Sequence, residues 1–250
     1  MVNVEIAILA VLALLVWGLF SRTARSKGRQ GEKKVSSGLS RSLNNTCYQI
    51  IDDVTLSTGN ATTQIDHLVV SPYGVFVIET KNMSGWVFGG AGHAYWTQVL
   101  FKMKHKFQNP IKQNDRHVRA VQSLLGLRPY QVHSVVVFIG DCVFKTEMPP
   151  GVVRGISQLV AFIRLKDARV VTDEEIERLI KDVSTKRLTP GWQTDRAHIR
   201  SVKEIARKKK RSTACPRCGN SMVERTNRSS GERFLGCKRY PRCEGTRPVP

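Results

Sequence analysis

Gln64-Ile-Asp-His-Leu-Val-Val-Ser-Pro-Tyr-Gly-Val-Phe-Val-Ile-Glu-Thr-Lys-Asn82 is the stretch around which the rest of the chain is organised. Two runs rich in Val and Ile flank Ser71, Pro72, Tyr73 and Gly74, the pattern of a hairpin with Pro at the second turn position and Gly at the fourth. A two-residue loop pairs Ser71 with Gly74, and that register sets Asp66 opposite Glu79 and Gln64 opposite Lys81. Opposed residues share a face, and side chains alternate along a strand. Two carboxylates, an amine and an amide then converge on one patch. Such a patch suits a divalent cation and a phosphate: carboxylates on rigid strands hold Mg2+, and the ammonium orients water or meets charge building on phosphorus. A three-residue loop would slip the register by one and turn Asp66 away. A plain surface ion pair between strand ends is the other reading of the same residues.

Near its tip the hairpin carries Leu68, Val70, Val75 and Val77 on one face and Val69, Phe76 and Ile78 on the other. A sheet apolar on both faces needs covering layers on both sides, so the fold class is α/β. Upstream, Arg29 to Leu43 reads as a helix with Val35, Leu39 and Leu43 on one stripe; Glu32 lies on that stripe. Tyr48 to Leu56 is a strand candidate. Between Gly85 and Lys106 the pattern weakens into a Gly-rich loop and a mixed segment. Asn109 as N-cap and Pro110 at the first helical position open a helix closed by Gly126, with Gln113 in its first turn. Val132 to Ile139 is a buried strand, Ile156 to Leu165 a helix, and Thr172 with Glu175 a capping box opening one more. The six histidines show no ligand spacing and read as ordinary polar or core residues.

The order Asp66, then Glu79-Thr80-Lys81, resembles the catalytic signature of the PD-(D/E)xK nucleases. Together with Gly31-Glu32, Gln64 to His67, Gly74 to Asn82, Trp96, Asn109-Pro110 and Gln113, it resembles the nuclease-related domain, NERD, over roughly residues 28 to 130. Ile65 stands where the superfamily name has Pro. The resemblance implies a restriction-endonuclease-like central mixed sheet flanked by helices. It implies Mg2+ or Mn2+ held by Asp66, Glu79 and Glu32, and catalytic roles for Glu32, Asp66, Glu79, Lys81 and Gln113.

The chain has 250 residues and a formal net charge of +20, which points to polyanionic partners, nucleic acid or an anionic membrane surface. Val2 to Phe20 is apolar apart from Asn3, Glu5 and Gly18, and 19 helical residues at ~1.5 Å each nearly cross a ~30 Å hydrocarbon core. Arg22, Arg25, Lys27 and Arg29 follow at once, so a transmembrane anchor over 1–21 with the remainder facing the bacterial cytoplasm is expected; a cleaved signal peptide would carry its charge on the other flank.

Residues 196 to 250 hold sixteen Lys and Arg against four Glu. The run Arg207-Lys-Lys-Lys-Arg211 belongs to a basic linker or helix end over 191–212, after a nuclease-like domain at 22–190. Beyond it Cys215, Cys218, Cys237 and Cys243 form two close pairs, the spacing of a four-thiolate structural zinc site, here over 213–250. Cys215-Pro-Arg-Cys218, Phe234-Leu-Gly-Cys237 and Tyr240-Pro-Arg-Cys243 resemble the C4 zinc finger of type IA topoisomerases, which implies single-stranded DNA as partner. Arg225, Arg228, Arg233, Lys238, Arg239 and Arg242 suit phosphates, and Phe234 and Tyr240 suit stacked bases. No Tyr nucleophile context accompanies it, so strand passage is not expected. Two functions remain: a membrane-anchored, metal-dependent DNA nuclease, or a non-catalytic protein tethering DNA at the membrane.

Overall fold

The computed structural model describes residues 26–43, 46–59, 61–189, 191–227 and 230–249. The expected membrane anchor lies outside them; among the described residues no helix is long and apolar enough to cross a membrane. Two compact units divide at Pro190 and Gly191.

The first unit is built on a five-stranded mixed sheet in the order β1-β2-β3-β7-β9: Gln49–Thr58, Ala61–Ser71, Gly74–Asn82, Val132–Ile139 and Val152–Arg154. β1, β2 and β3 run antiparallel, while β3, β7 and β9 run parallel. Both faces are covered, as the two-sided apolar pattern requires. On one face Leu68, Val70, Val75 and Val77 meet Val121 and Leu125 of α2 (Pro110–Leu125) and Leu179 and Val183 of α4 (Asp173–Lys186). On the other Val69, Phe76 and Ile78 meet Val35 and Leu39 of α1 (helix over 26–42), Leu43 just after it, and Leu159, Val160 and Ile163 of α3 (Gly155–Arg164). The caps form as the residue types dictate. The Asn109 side chain accepts from Ile111 N–H, Gly126 closes α2 in the left-handed region, and Thr172 and Glu175 exchange hydrogen bonds at the start of α4.

The Gly-rich loop runs from Gly89 to Ala94, and the rest of the segment from Gly85 to Lys106 is most of a second sheet. β4 (Gly85–Phe88), β5 (Tyr95–Leu100) and β6 (Met103–Gln108) join β8 (Cys142–Phe144) in the order β6-β5-β4-β8. Its inner side chains Val87, Trp96 and Cys142 pack on Val136 and Phe138 of β7. Gly89 lies so close to the Trp96 ring that an added Cβ would come within 2.1 Å of it.

The second unit opens with α5 (Trp192–Thr213), so the expected linker is helical, and continues as a three-stranded antiparallel sheet of β10 (Met222–Thr226), β11 (Arg233–Cys237) and β12 (Thr246–Pro248).

Candidate functional site

The hairpin has the two-residue loop: Ser71 pairs with Gly74, and the register holds down to His67 opposite Ile78. The β2–β3 ladder stops there. β3 continues beside β7 alone, Glu79 against Val136 and Lys81 against Phe138. Asp66 turns its side chain into the gap, where its Oδ2 accepts the Thr80 backbone N–H at 2.7 Å. Gln64 is not opposite Lys81. It pairs with Thr55 of β1 and donates to the Asp53 carboxylate at 2.6 Å, because the opening of the hairpin carries β2 away with β1.

Glu79 is 3% exposed and sits between two nitrogens. Lys81 Nζ lies 2.5 Å from Oε1 and 3.0 Å from the Gln113 side-chain oxygen, and His117 Nε2 lies 3.3 Å from Oε2. That last approach is not aligned as a hydrogen bond, so Oε2 remains a buried oxygen without a donor. Burial alone would raise the Glu79 carboxyl; the Lys81 ammonium, with His117 beside it, outweighs burial and holds it below the ordinary range. Asp66 goes the other way. Burial pushes it well above the carboxylate range and the Glu79 charge adds to this, against the Thr80 N–H and Lys81. Two carboxylates with divergent pKa values, one with an oxygen that no aligned donor reaches, are a donor set that a hard cation would relieve.

Helix α2 supplies Gln113 and His117 one turn apart, and Asn114 between them fixes the helix on the sheet. Its buried amide donates to Val77 O, Ser134 Oγ and Val135 O at 2.8, 2.9 and 3.2 Å. Glu32 arrives on α1, from the other side of the sheet. Gly31 makes that possible, since a Cβ there would meet Asn82 Cβ at 2.6 Å; the Asn82 amide in turn donates to Lys27 O. Burial raises the Glu32 carboxyl, opposed by His67 and increased by Asp53 and Glu79. Glu32 is thus within electrostatic reach of the pair. The oxygens of Glu32, Asp66 and Glu79 nevertheless do not all come within 4.8 Å of one another, a spacing that among the described residues the ribbon cysteines achieve.

Three residues at this site escaped the sequence. His117 bridges Thr63 Oγ1, at 2.6 Å from Nδ1, to Glu79. His67, 1% exposed, meets Asp52 at 2.7 Å, and Asp52 accepts from Ser36 at 2.5 Å. Asp53 interrupts the β1–β2 ladder with φ of 52°. The Asp52-Asp53 pair in the middle of an apolar strand was the signal available. The histidines gave none, because their partners come from distant segments.

In the second unit the four cysteine sulfurs lie within 4.8 Å of one another, with Cys215 and Cys243 3.7 Å apart and Cys218 and Cys237 3.5 Å apart. Asn220, through its backbone and side-chain N–H groups, pulls the Cys218 thiol down to about 6. Cys237 is pushed up to about 12 by burial and its sulfur neighbours, despite the Arg239 N–H. Four thiols this close ionise together only around a cation, and tetrahedral zinc fits the set. Gly245 leaves room for Cys215, whose sulfur would lie 2.3 Å from an added Cβ.

Of the side chains expected to bind nucleic acid, Arg225 lies over the exposed Tyr240 ring at 5.3 Å and shares a sheet face with half-buried Phe234. Lys238, Arg239 and Arg242 are exposed. Arg233 is engaged by Glu224, and Arg228 lies outside the described residues.

Residues 27–139 match the family profile of the nuclease-related domain, and residues 212–250 that of the topoisomerase DNA binding C4 zinc finger. An uncharacterized protein of Bacillus anthracis is 42% identical over 122 residues, covering 48% of this chain and 57% of that one. DNA topoisomerase 1 of Pyrococcus horikoshii is 40% identical over 35 residues, 14% of this chain and 5% of the enzyme. That of Archaeoglobus fulgidus is 39% identical over 51 residues, 20% and 8%. This chain therefore spans just over half of the first of these relatives and a small part of the topoisomerases. No solved structure matches it.

Proposed function

We propose that this chain, which pairs a nuclease-related domain with a topoisomerase-type C4 zinc finger, is a metal-dependent nuclease hydrolysing DNA phosphodiesters on a restriction-endonuclease-like core. The ribbon recruits single-stranded DNA, and the apolar residues 2–20 anchor the chain in the bacterial inner membrane with the remainder in the cytoplasm. The observation that carries the nuclease reading is the meeting of Asp66, Glu79, Lys81 and Gln113, from the two arms of the hairpin and from α2, around a buried carboxylate oxygen whose near nitrogen, on His117, is not aligned to donate.

Mg2+ held by Asp66 and Glu79, with Glu32 at the margin, would neutralise a phosphate oxygen and acidify a water. The protein groups do the rest. Buried on β3, Glu79 keeps one carboxylate orientation because Lys81 and His117 flank it. Asp66 is fixed by the Thr80 N–H. Lys81, tethered by Gln113, places its ammonium where a water can be oriented or the charge on the phosphorane met.

The test is cleavage of labelled DNA with and without Mg2+ by the wild type, Asp66→Asn and Glu79→Gln. Loss of cleavage in both variants, with folding and zinc content retained, supports the proposal. Wild-type cleavage by Glu79→Gln overturns it, and a wild type that binds DNA and never cuts it leaves the tethering function in its place.

A further inference from the structure

The geometry points to the outer face of the β6-β5-β4-β8 sheet, which covers the strand next to the carboxylates, as a docking surface for single-stranded nucleic acid. This rests on the nucleic-acid reading above and adds a second contact area, within the first unit, to the one expected on the ribbon.

The register assigns the face. Trp86 pairs with Val99 and Val143, Val99 with Lys104, and Thr97 with Lys106. Opposed residues share a side, so Trp86, Tyr95, Val99, Val143, Lys104 and Lys106 all point away from the buried Val87 and Trp96. A soluble surface normally turns polar residues outward on such a sheet. Here Trp86 is 51% exposed and Tyr95 64%. Lys145 reaches over the Trp86 ring at 4.6 Å, so a cation already lies on the aromatic platform.

At the β5–β6 tip Phe101 is 91% exposed with φ of 54°, a left-handed conformation that a bulky aromatic adopts at a cost and that turns commonly give to glycine. Lys102 follows it. From Thr80 to Asn114 the sequence has Lys81, Lys102, Lys104, Lys106 and Lys112 and no acidic residue; the acids near this sheet are Asp141 and Glu147, either side of β8 and with Lys145 between them.

Lysines on an edge strand such as β6 also discourage strand pairing between molecules. That accounts for Lys104 and Lys106 but not for Trp86, Tyr95 and Phe101. Aromatic faces interleaved with cations are what a single strand needs, because exposed bases stack while the phosphates are neutralised. A duplex hides its base faces and would leave the aromatics unused.

The surface is also in the right place. The inner side of the sheet packs on Val136 and Phe138, which are the β7 partners of Glu79 and Lys81, and β4 begins three residues after Asn82. Parallel strands lie ~4.8 Å apart and sheets packed face to face ~10 Å, so the second sheet covers the strand next to the carboxylate row, with its outer face on the far side of that sheet.

The experiment uses the full chain and a fluorescein-labelled oligo(dT). In the Lys104→Gln/Lys106→Gln variant, affinity should fall on the order of tenfold and the salt slope of log K should shrink by about 1.4, at ~0.7 per lost phosphate contact. Trp86→Ala should weaken binding by at least about fivefold, the lower end of one stacked base. Acetylation of wild-type Lys104 and Lys106 by an amine-reactive ester should be suppressed by the oligonucleotide, a readout that needs no variant to fold. Cleavage at saturating DNA should be unchanged, so lost binding with intact turnover tests this surface, whereas lost turnover with intact binding tests the carboxylates. Unchanged affinity, slope and acetylation would overturn the inference. So would a face found to hold a second copy, seen as dissociation of an oligomer by light scattering in the variants with DNA affinity intact.

Discussion

Lys81→Ala should destabilise the first unit by about 3 kcal/mol at neutral pH without added metal. Removing one partner of a buried ion pair costs ~3–5 kcal/mol because the other charge is left without compensation. The low end applies, since the Lys81 side chain keeps 21% of its exposure and His117 stays 3.3 Å from the second Glu79 oxygen. For a unit of this size each kcal/mol moves the midpoint by roughly 2–4 °C, so thermal melts should drop by about 6–12 °C.

The pH dependence has a definite sign. In the wild type the folded pKa of Glu79 is depressed, so its contribution is fully present above the unfolded carboxylate range and is lost as pH falls through the folded value. Without Lys81 burial dominates, the folded pKa rises above the unfolded one, and the penalty grows as pH climbs past the ordinary glutamate range. The gap between wild type and variant should therefore close in acid. Two additions sharpen the test. The double variant Lys81→Ala/Glu79→Gln should melt near the wild type, because no charge is left uncompensated. If the site holds Mg2+ as proposed, with the ammonium acting on the reacting groups and not in coordination, millimolar Mg2+ should recover much of the loss in Lys81→Ala while cleavage stays low. A Lys81→Ala midpoint within 1 °C of the wild type at neutral pH would refute the argument.

Asp66→Asn should raise the metal-free midpoint at neutral pH and lose that advantage as pH falls below the aspartate range, because with a raised folded pKa the penalty starts where the unfolded chain ionises, at the ordinary aspartate range, and vanishes below it where both states are protonated; melts from pH 3 to 8 decide it. Cys218→Ser should release zinc and weaken binding to single strands while the first unit melts as before, since the ribbon belongs to a separate compact unit; zinc content, anisotropy and calorimetry read the three effects. Gly245→Ala should lower zinc affinity by crowding Cys215, measurable by chelator competition. A reporter that works only outside the cytoplasm, fused after Pro250, should stay inactive if residues 2–20 anchor the chain as proposed.

The hairpin was legible because its signals were local. Pro72 and Gly74 chose the turn, the turn chose the register, and alternation assigned Leu68, Val70, Val75 and Val77 to one core and Val69, Phe76 and Ile78 to another, as the packing has it. Helix α2 was legible for the same reason, its ends marked by Asn109, Pro110 and Gly126. Extending the register rule to Gln64 failed because pairing between β2 and β3 ends at His67, and no local residue announces where a hairpin opens. What opens it is the third dimension: β3 stays with β7 while β2 stays with β1.

The second sheet shows the same limit from another side. Gly89 and Gly90 are loop residues, as the sequence suggests, but their reasons are tertiary: Gly89 is small because the Trp96 ring lies against it, and Gly90 O accepts from both Trp96 Nε1 and the Asn109 amide. Asn109 does two jobs at once, capping α2 with its oxygen and holding the carbonyls of Gly90, Ala91 and His93 with its nitrogen. A motif such as Asn109-Pro110 can be read as a helix start from sequence alone. Its role as the clamp that ties the second sheet to the helix bearing Gln113 and His117 depends on a loop 16 to 19 residues earlier, and distance in sequence hides exactly such partners. The carboxylate patch and the second sheet are therefore tied together, and a change at Asn109 should disturb both, displacing Gln113 from Lys81 while loosening the face on which a strand would lie.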